Sequence, residues 1–385
     1  MFNKIPLAWL QLSHEKVRLL VAIAGIGFAD ILMFMQLGFR DALFDSAVRF
    51  HANVNGDVFL ISPQSTSLIA MKSFPRRRLY QTLAFPGVDS ATPIYLGFKI
   101  WKNPYDKSTR QIMVIGFNPA DKKLFELPGI AENINKLQLP DTYLFDVKSR
   151  AQFGPIEEKF KSGESIQTEV GGRKIGIGGL FTLGASFGAD GNILASDTNF
   201  IRMFDKRNAG LIDVGVVKLK PGTDLAATIK AMKAYFPEDV KVFSKEEFID
   251  FERGYWQNST SIGFIFTLGT VMGFIVGIVI VYQILYTDVA DHLSEYATLK
   301  AMGYTDFYLL TVVFQEAIIL SIVGFFPGMF AAVGLYSMTR NATNLPLMMT
   351  VARAITVLIL TMIMCIVSGA IAVRKLRAAD PADMF

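Results

Sequence analysis

The chain has 385 residues, 51% of them hydrophobic, and a formal net charge of +4. Soluble domains hold about 45–50% apolar residues, so the excess is small, but here it pools in four long runs. The mild charge points to neither a nucleic-acid face nor an acid-binding surface, and the single cysteine, Cys365, excludes an internal disulfide.

Residues 1-16 set Phe2, Ile5, Trp9, Leu10 and Leu12 among polar side chains, the pattern of a cytoplasmic amphipathic helix lying in a membrane interface. The first apolar run lies between Arg18 and Arg40, with Asp30 its only charge. It exceeds the apolar length of a signal peptide, and no small-residue cleavage site follows it. Helical spacing continues through Leu43, Phe44, Ala47, Val48 and Phe50, so 17-50 reads as transmembrane helix 1 prolonged into a stalk.

From 51-244 the pattern changes to short apolar runs bounded by Gly, Pro, Asn and Asp. Strands are expected at 58-62, 94-101, 111-116, 165-170, 174-181 and 215-219, and helices at 77-84 and 224-235. This is an α+β domain, in one or two subdomains, long enough to hold its own core.

A return stalk carrying Phe248, Phe251, Tyr255 and Trp256 then leads into an uncharged run, so 245-287 reads as stalk and transmembrane helix 2. The third span, 306-337, is broken beyond Asp306 only by Glu316; the fourth, 352-373, has no charge after Arg353; a tail follows at 374-385. A bilayer core of about 30 Å takes about 20 apolar helical residues, and in hydrocarbon such runs can only be helices. The fold class is therefore an integral membrane protein: four transmembrane helices plus an α+β extracytoplasmic domain, carried on helical stalks between helices 1 and 2.

Four spans put both termini on one side. The tails hold Lys4, Lys16, Arg18, Arg374, Lys375 and Arg377, and the 2–3 loop adds Lys300, whereas the 3–4 loop has Arg340 with Arg353 at its edge. The positive side is the cytoplasm, so both termini lie there and the large domain lies outside, in a multi-pass membrane protein.

Between helices 2 and 3, residues 288-305 carry the signs of a short cytoplasmic helix. Asp288 and Asp291 suit its start, Lys300 its end, and Gly303 a left-handed cap, while Thr305 and Asp306 can cap the third span. Glu295, Tyr296, Leu299 and Lys300 share helical spacing and form one contact patch. In the second span Gly269, Gly273 and Gly277 repeat every four residues, a flat groove that admits a close helix or a reflection of the glycine enrichment of membrane helices.

Asp30 and Glu316 are costly facing lipid, so both should face protein or water, as paired groups or as steps of a proton path. Arg76-Arg77-Arg78 reads as a solvated helix start or a dock for an acidic partner. His14, His51 and His292 show no metal-ligand spacing, and no G-x-x-x-x-G-K-[ST] loop is present. The residues thus describe a permease-like or signalling subunit driven by something else, with no catalytic centre and no cofactor of its own.

The chain resembles permeases of the MacB/FtsX-like (mechanotransmitting) ABC transporter family, and within it those of the cyanobacterial DevC type. The resemblance rests on Ala8-Trp9 before basic residues, Gly25-Ile26-Gly27 in the first span, and Glu295-x4-Lys300-Ala301-Met302-Gly303. The ending Arg374-Lys375-Leu376-Arg377-Ala378-Ala379-Asp380-Pro381 adds to it, as do Phe85-Pro86-Gly87-Val88 and Val114-Ile115-Gly116-Phe117 outside. The resemblance implies a homodimer that works with a separate ABC ATPase (DevA-like, holding ATP-Mg), a membrane-fusion protein (DevB-like) and a TolC-like outer-membrane duct. It also implies 288-305 as the coupling helix, and export of a glycolipid for the heterocyst envelope. MacB carries a fused nucleotide-binding domain ahead of the first span, and this sequence does not. Two rival readings are an FtsX-like transmembrane regulator of a cell-wall hydrolase and a proton-coupled carrier using Asp30 and Glu316.

Overall fold

The computed structural model describes residues 14–292, 298, 302–303, 305–343 and 345–377, with backbone alone at 306–310 and 374–377. The expected interfacial helix at 1-16 lies outside them except for its last three residues.

In chain order, helix α1 (Lys16–Ala47) is followed after Val48 by α2 (Arg49–Asn53), β1 (Val58–Ile61), β2 (Phe74–Pro75) and α3 (Arg76–Gln81). Next come β3 (Val88–Lys102), β4 (Thr109–Phe117), α4 (Ile130–Asn133), β5 (Thr142–Asp146), α5 (Ile156–Lys161), β6 (Gln167–Val170) and β7 (Arg173–Phe181). Then follow β8 (Asn192–Ser196), α6 (Asp197–Met203), β9 (Leu211–Ile212), β10 (Val214–Leu219), α7 (Leu225–Tyr235) and β11 (Lys241–Ser244). Helices α8 (Lys245–Asn258), α9 (Ser261–Asp291), α10 (Asp306–Thr343) and α11 (Val351–Arg377) complete the chain. The described residues fall into two compact units. A helical unit lies within Met1–Ala42, Ser261–Ala342 and Leu347–Phe385, and an α/β unit within Leu43–Thr260 and Thr343–Pro346.

The α/β unit is built on one nine-stranded mixed sheet, order β11-β1-β10-β3-β4-β8-β5-β7-β6. Trp101 and Lys102 at the end of β3 also pair with Val170 and Glu169 of β6, so the six strands from β3 to β6 close into a ring. Two cores cover its faces, one around Trp101, Tyr143, Phe153 and Phe200, the other around Phe59, Ile115, Phe117 and Phe248. One continuous sheet joins the whole unit, so it does not divide into two subdomains. The central strands β5 and β8 are covered on both faces, and their continuous apolar character shows none of the alternation by which a strand is recognised.

Helix starts follow their local chemistry. Asp224 accepts from the Ala227 amide ahead of α7, and Ser244 forms a reciprocal capping box with Glu247 ahead of α8. The return stalk and the second span, expected as one helix, are two: the chain bends at Ser259 and Thr260 between α8 and α9. The run Asn258-Ser259-Thr260-Ser261 explains the break, because short polar side chains compete for the backbone, and the Thr260 hydroxyl donates to the Trp256 carbonyl at 2.6 Å.

Among the described residues of the helical unit, four helices are long and apolar enough to cross a membrane. Helix α10 has 38 residues, or about 57 Å at 1.5 Å per residue, well beyond a core of about 30 Å. Helix α1 touches the other three, meeting α9 through Ala29 and Leu32, α10 through Gly27 and Phe34, and α11 through Asp30.

Candidate functional site

The glycine groove of α9 is filled from within the same chain. A methyl group at Gly269 would meet the Gln36 side chain of α1, one at Gly273 would meet Leu32 and Met33, and one at Gly277 would meet Ala29 of α1 and Met364 of α11. A second groove, on α10, was not singled out from the sequence although it repeats the same pattern: Gly324-x3-Gly328 faces Gly27 of α1. A Cβ on Gly328 would lie 3.0 Å from the Gly27 carbonyl oxygen and 2.9 Å from the Asp30 Cβ, so the two backbones are in near contact.

Asp30 and Glu316 are both fully buried against protein. Asp30 accepts from the Thr361 hydroxyl of α11, and its second oxygen has no partner among the described residues. Glu316 lies beside Asp288 of α9, with both oxygens unpartnered among the described residues. Asp288 is in turn held by Arg18 at 3.2 Å, so this group marks one end of the bundle. Asp30 stands twelve residues beyond Arg18, about 18 Å deeper along α1. The two carboxylates therefore occupy different levels and serve different neighbours.

Asp288 also departs from its expected place. As the first acid of the coupling helix it would be solvated; instead α9 continues to Asp291, and Asp288 is buried in its last turn with Arg18 compensating its charge. Glu295, Tyr296, Leu299 and Lys300 lie outside the described residues. Gly303 is described, and its φ of 94° is the left-handed conformation that ends a helix.

At the other end of the bundle, Arg353 opens α11 and joins three helices. Its guanidinium donates to Asp41 of α1 at 2.8 Å and to the Met348 carbonyl, and it stands over the Tyr336 ring of α10. Tyr336 in turn donates to the Phe34 carbonyl of α1. Arg353 entered the sequence reading only as a topology marker; an arginine opposite an aspartate at two span ends is the signal that could have found it.

In the α/β unit the two stalk helices meet at a buried pair. His51 of α2 sits against Phe50 and Phe248, the latter stacked on Phe59, with Nε2 3.6 Å from Glu252 of α8. Glu252 accepts from the Leu68 amide at 2.7 Å and the Trp256 indole at 2.8 Å. Burial pushes the Glu252 carboxyl up to about 7 and the His51 imidazole down to about 3. Arg76 and Arg78 are engaged, with Tyr80 and Asp239 respectively, which leaves Arg77 as the exposed member of the basic run.

These features are built to hold helices at fixed spacing. Among the described residues no group of histidine, cysteine and carboxylate side chains could hold a metal ion.

No curated protein is similar enough to count as a match. Among solved structures, the periplasmic region of MacB from Actinobacillus actinomycetemcomitans is 9% identical with a TM-score of 0.37, covering 56% of this chain and 99% of its own. The extracellular domain of the noncanonic ABC-type transporter YknZ from Gram-positive bacteria is 13% identical with a TM-score of 0.35, covering 49% of this chain and all of its own. Residues 255–381, which hold three of the four apolar helices and the 288–305 segment, match the FtsX-like permease C-terminal family.

Proposed function

We propose that this chain is the permease, or mechanotransmission, subunit of an ATP-driven ABC exporter. The observation that carries the reading is the FtsX-like permease match over 255–381. The geometry supports it, since close glycine contacts and buried polar ties hold the four helices together, and the two buried carboxylates stand at different levels. Such a bundle, in this reading, transmits motion and need not line a wide polar channel.

In this reading a separate DevA-like ATPase hydrolyses ATP and docks on the patch Glu295, Tyr296, Leu299 and Lys300, while the chain works as a homodimer in the inner membrane with both termini cytoplasmic. A DevB-like fusion protein and a TolC-like duct continue the path outward. The cargo we assign, on the DevC-type resemblance of the sequence, is a glycolipid of the heterocyst envelope.

The test is co-purification of the ATPase with Glu295→Arg/Leu299→Asp. Charge reversal and a buried carboxylate both oppose docking, so the ATPase should be lost while expression and membrane insertion survive. Normal recovery of the ATPase would remove the coupling assignment. Recovery of a cell-wall hydrolase in place of a fusion protein would favour the regulator.

A further inference from the structure

At the end of the bundle marked by Arg18, positive and negative charges do not balance. One guanidinium meets three carboxylates: Glu15 at 2.8 Å, Asp288 at 3.2 Å, and Asp291. Glu316 of α10 adds a fourth, within hydrogen-bonding reach of Asp288. The other charged or titratable groups do not make up the difference. Lys16 is exposed and makes no ion pair among the described residues. His292 has its Nδ1 2.9 Å from the Asp288 main-chain carbonyl and 3.9 Å from the carboxylate. Helix α11 approaches here with Gly369, against Leu285, Val313 and Ala317, and brings no charged side chain among the described residues.

The two buried carboxyl groups are also short of donors. Asp288 is 3% exposed and Glu316 0%. Asp288 Oδ2, Glu316 Oε1 and Glu316 Oε2 have no hydrogen-bond partner among the described residues. A carboxylate can only accept, so two ionised groups side by side leave all three oxygens unsatisfied and repel each other where no water screens them. Water has little room: the cavity beside Asp288, lined by Arg18, Ala22, Leu285 and Leu320, holds about 10 Å³, and one water needs about 10–15 Å³. Nor could any group of three histidine, cysteine or carboxylate side chains hold a metal ion among the described residues. A single hydrogen resolves the arrangement. A carboxyl O–H on one group donates to the other, and two of the three oxygens gain partners.

We infer that Asp288 and Glu316 share one proton, the Glu316 carboxyl donating to Asp288 Oδ2, and that this clasp ties α10 to the last turn of α9. Arg18 on Asp288 Oδ1 decides which group keeps the negative charge. A clasp that holds one proton more than its opened form weakens as pH rises: the O–H bond breaks, the proton passes to water, and two facing carboxylates remain. The grip of α9 on α10, at the point where the chain enters 288–305, is thereby set by pH. Nothing in this assignment depends on the transport reading.

The experiment uses the full chain in lipid nanodiscs and infrared difference spectra between the wild type and Glu316→Gln. At neutral pH the difference should contain the carbonyl stretch of one protonated carboxylic acid, and the band should vanish as pH rises. Asp288→Asn removes the accepting charge and offers an amide donor in its place, so Glu316 should ionise and the band be gone at neutral pH. Glutamine at 316 still donates to Asp288, so that variant should keep the clasp but lose its pH dependence. Hydrogen exchange in the last turn of α9, wild type over Glu316→Gln, should therefore rise by up to about ten-fold per pH unit until the band has gone. No such band at neutral pH, a band unchanged in Asp288→Asn, or an exchange ratio flat with pH would each overturn the shared proton. A band that appears only when sodium and calcium are withdrawn would give the place to a metal ion and overturn it as well. Thermal unfolding identifies a variant that fails to fold, and if Asp288→Asn does, the exchange ratio decides alone.

Discussion

Glu252 shows how much one buried proton can govern. Its carboxyl, raised from 4.5 to about 7, contributes stability that is complete below pH 4.5 and is lost as pH rises through 7. His51 has the opposite sign: lowered from 6.5 to about 3, it contributes above pH 6.5 and loses that contribution as pH falls through 3. Measured against Glu252→Gln, the wild-type α/β unit should lose up to about 3 kcal/mol between those two carboxyl values, read as hydrogen exchange of the Leu68 amide across pH. A difference that stays flat with pH would mean that Glu252 is ionised throughout. Asp30 makes a milder case. Asn preserves an acceptor for Thr361, so Asp30→Asn should leave folding and transport close to wild type. Lost transport with normal folding and intact ATPase stimulation would instead revive a proton path.

At the scale of elements, the two glycine grooves rank their own substitutions. Alanine at Gly273 meets the Leu32 Cβ at 3.3 Å, the Met33 Cγ at 3.5 Å and the Met33 amide nitrogen at 3.7 Å, all close to ordinary contact distance. Alanine at Gly328 meets the Gly27 backbone, which cannot shift, so Gly328→Ala should cost about 2 kcal/mol and Gly273→Ala well under half of that. Thermal unfolding in detergent orders the pair, and a reversed order would show that α10 does not pack on α1 through these residues. Leucine at Gly273 should still disrupt the bundle. The Gly269-Gly273-Gly277 spacing announced a close neighbour but not which one, because a flat groove is indifferent to its partner, and only the fold brings Leu32 and Gln36 to it. The spans were legible because hydrocarbon permits one solution. Strands β5 and β8 were not, since burial on both faces erases alternation. The bend at Ser259–Thr260 could have been read from four short polar residues in a row. Asp288 was misplaced because its compensating charge, Arg18, lies 270 positions away in sequence.

For the molecule as a whole, the purified chain should neither bind nor hydrolyse ATP, since its sequence has no phosphate-cradling loop; saturable binding of a labelled nucleotide by this chain alone would contradict that. The sheet topology also sets a clock. Val58 of β1 pairs with Val217 of β10 and with Ser244 of β11, so the first strand made waits for the last. At about 5–20 residues per second, synthesis of the intervening chain takes about 10–40 s. Until β10 follows, Val58-Phe59-Leu60-Ile61 is an apolar strand without neighbours, tethered at one end to a helix already emerging from the ribosome, and one of its edges stays open until β11 is made. The nascent chain therefore passes through a long aggregation-prone stage that no mutation of the finished core can shorten, and its α/β unit should stay protease-sensitive until Ser244 has been released.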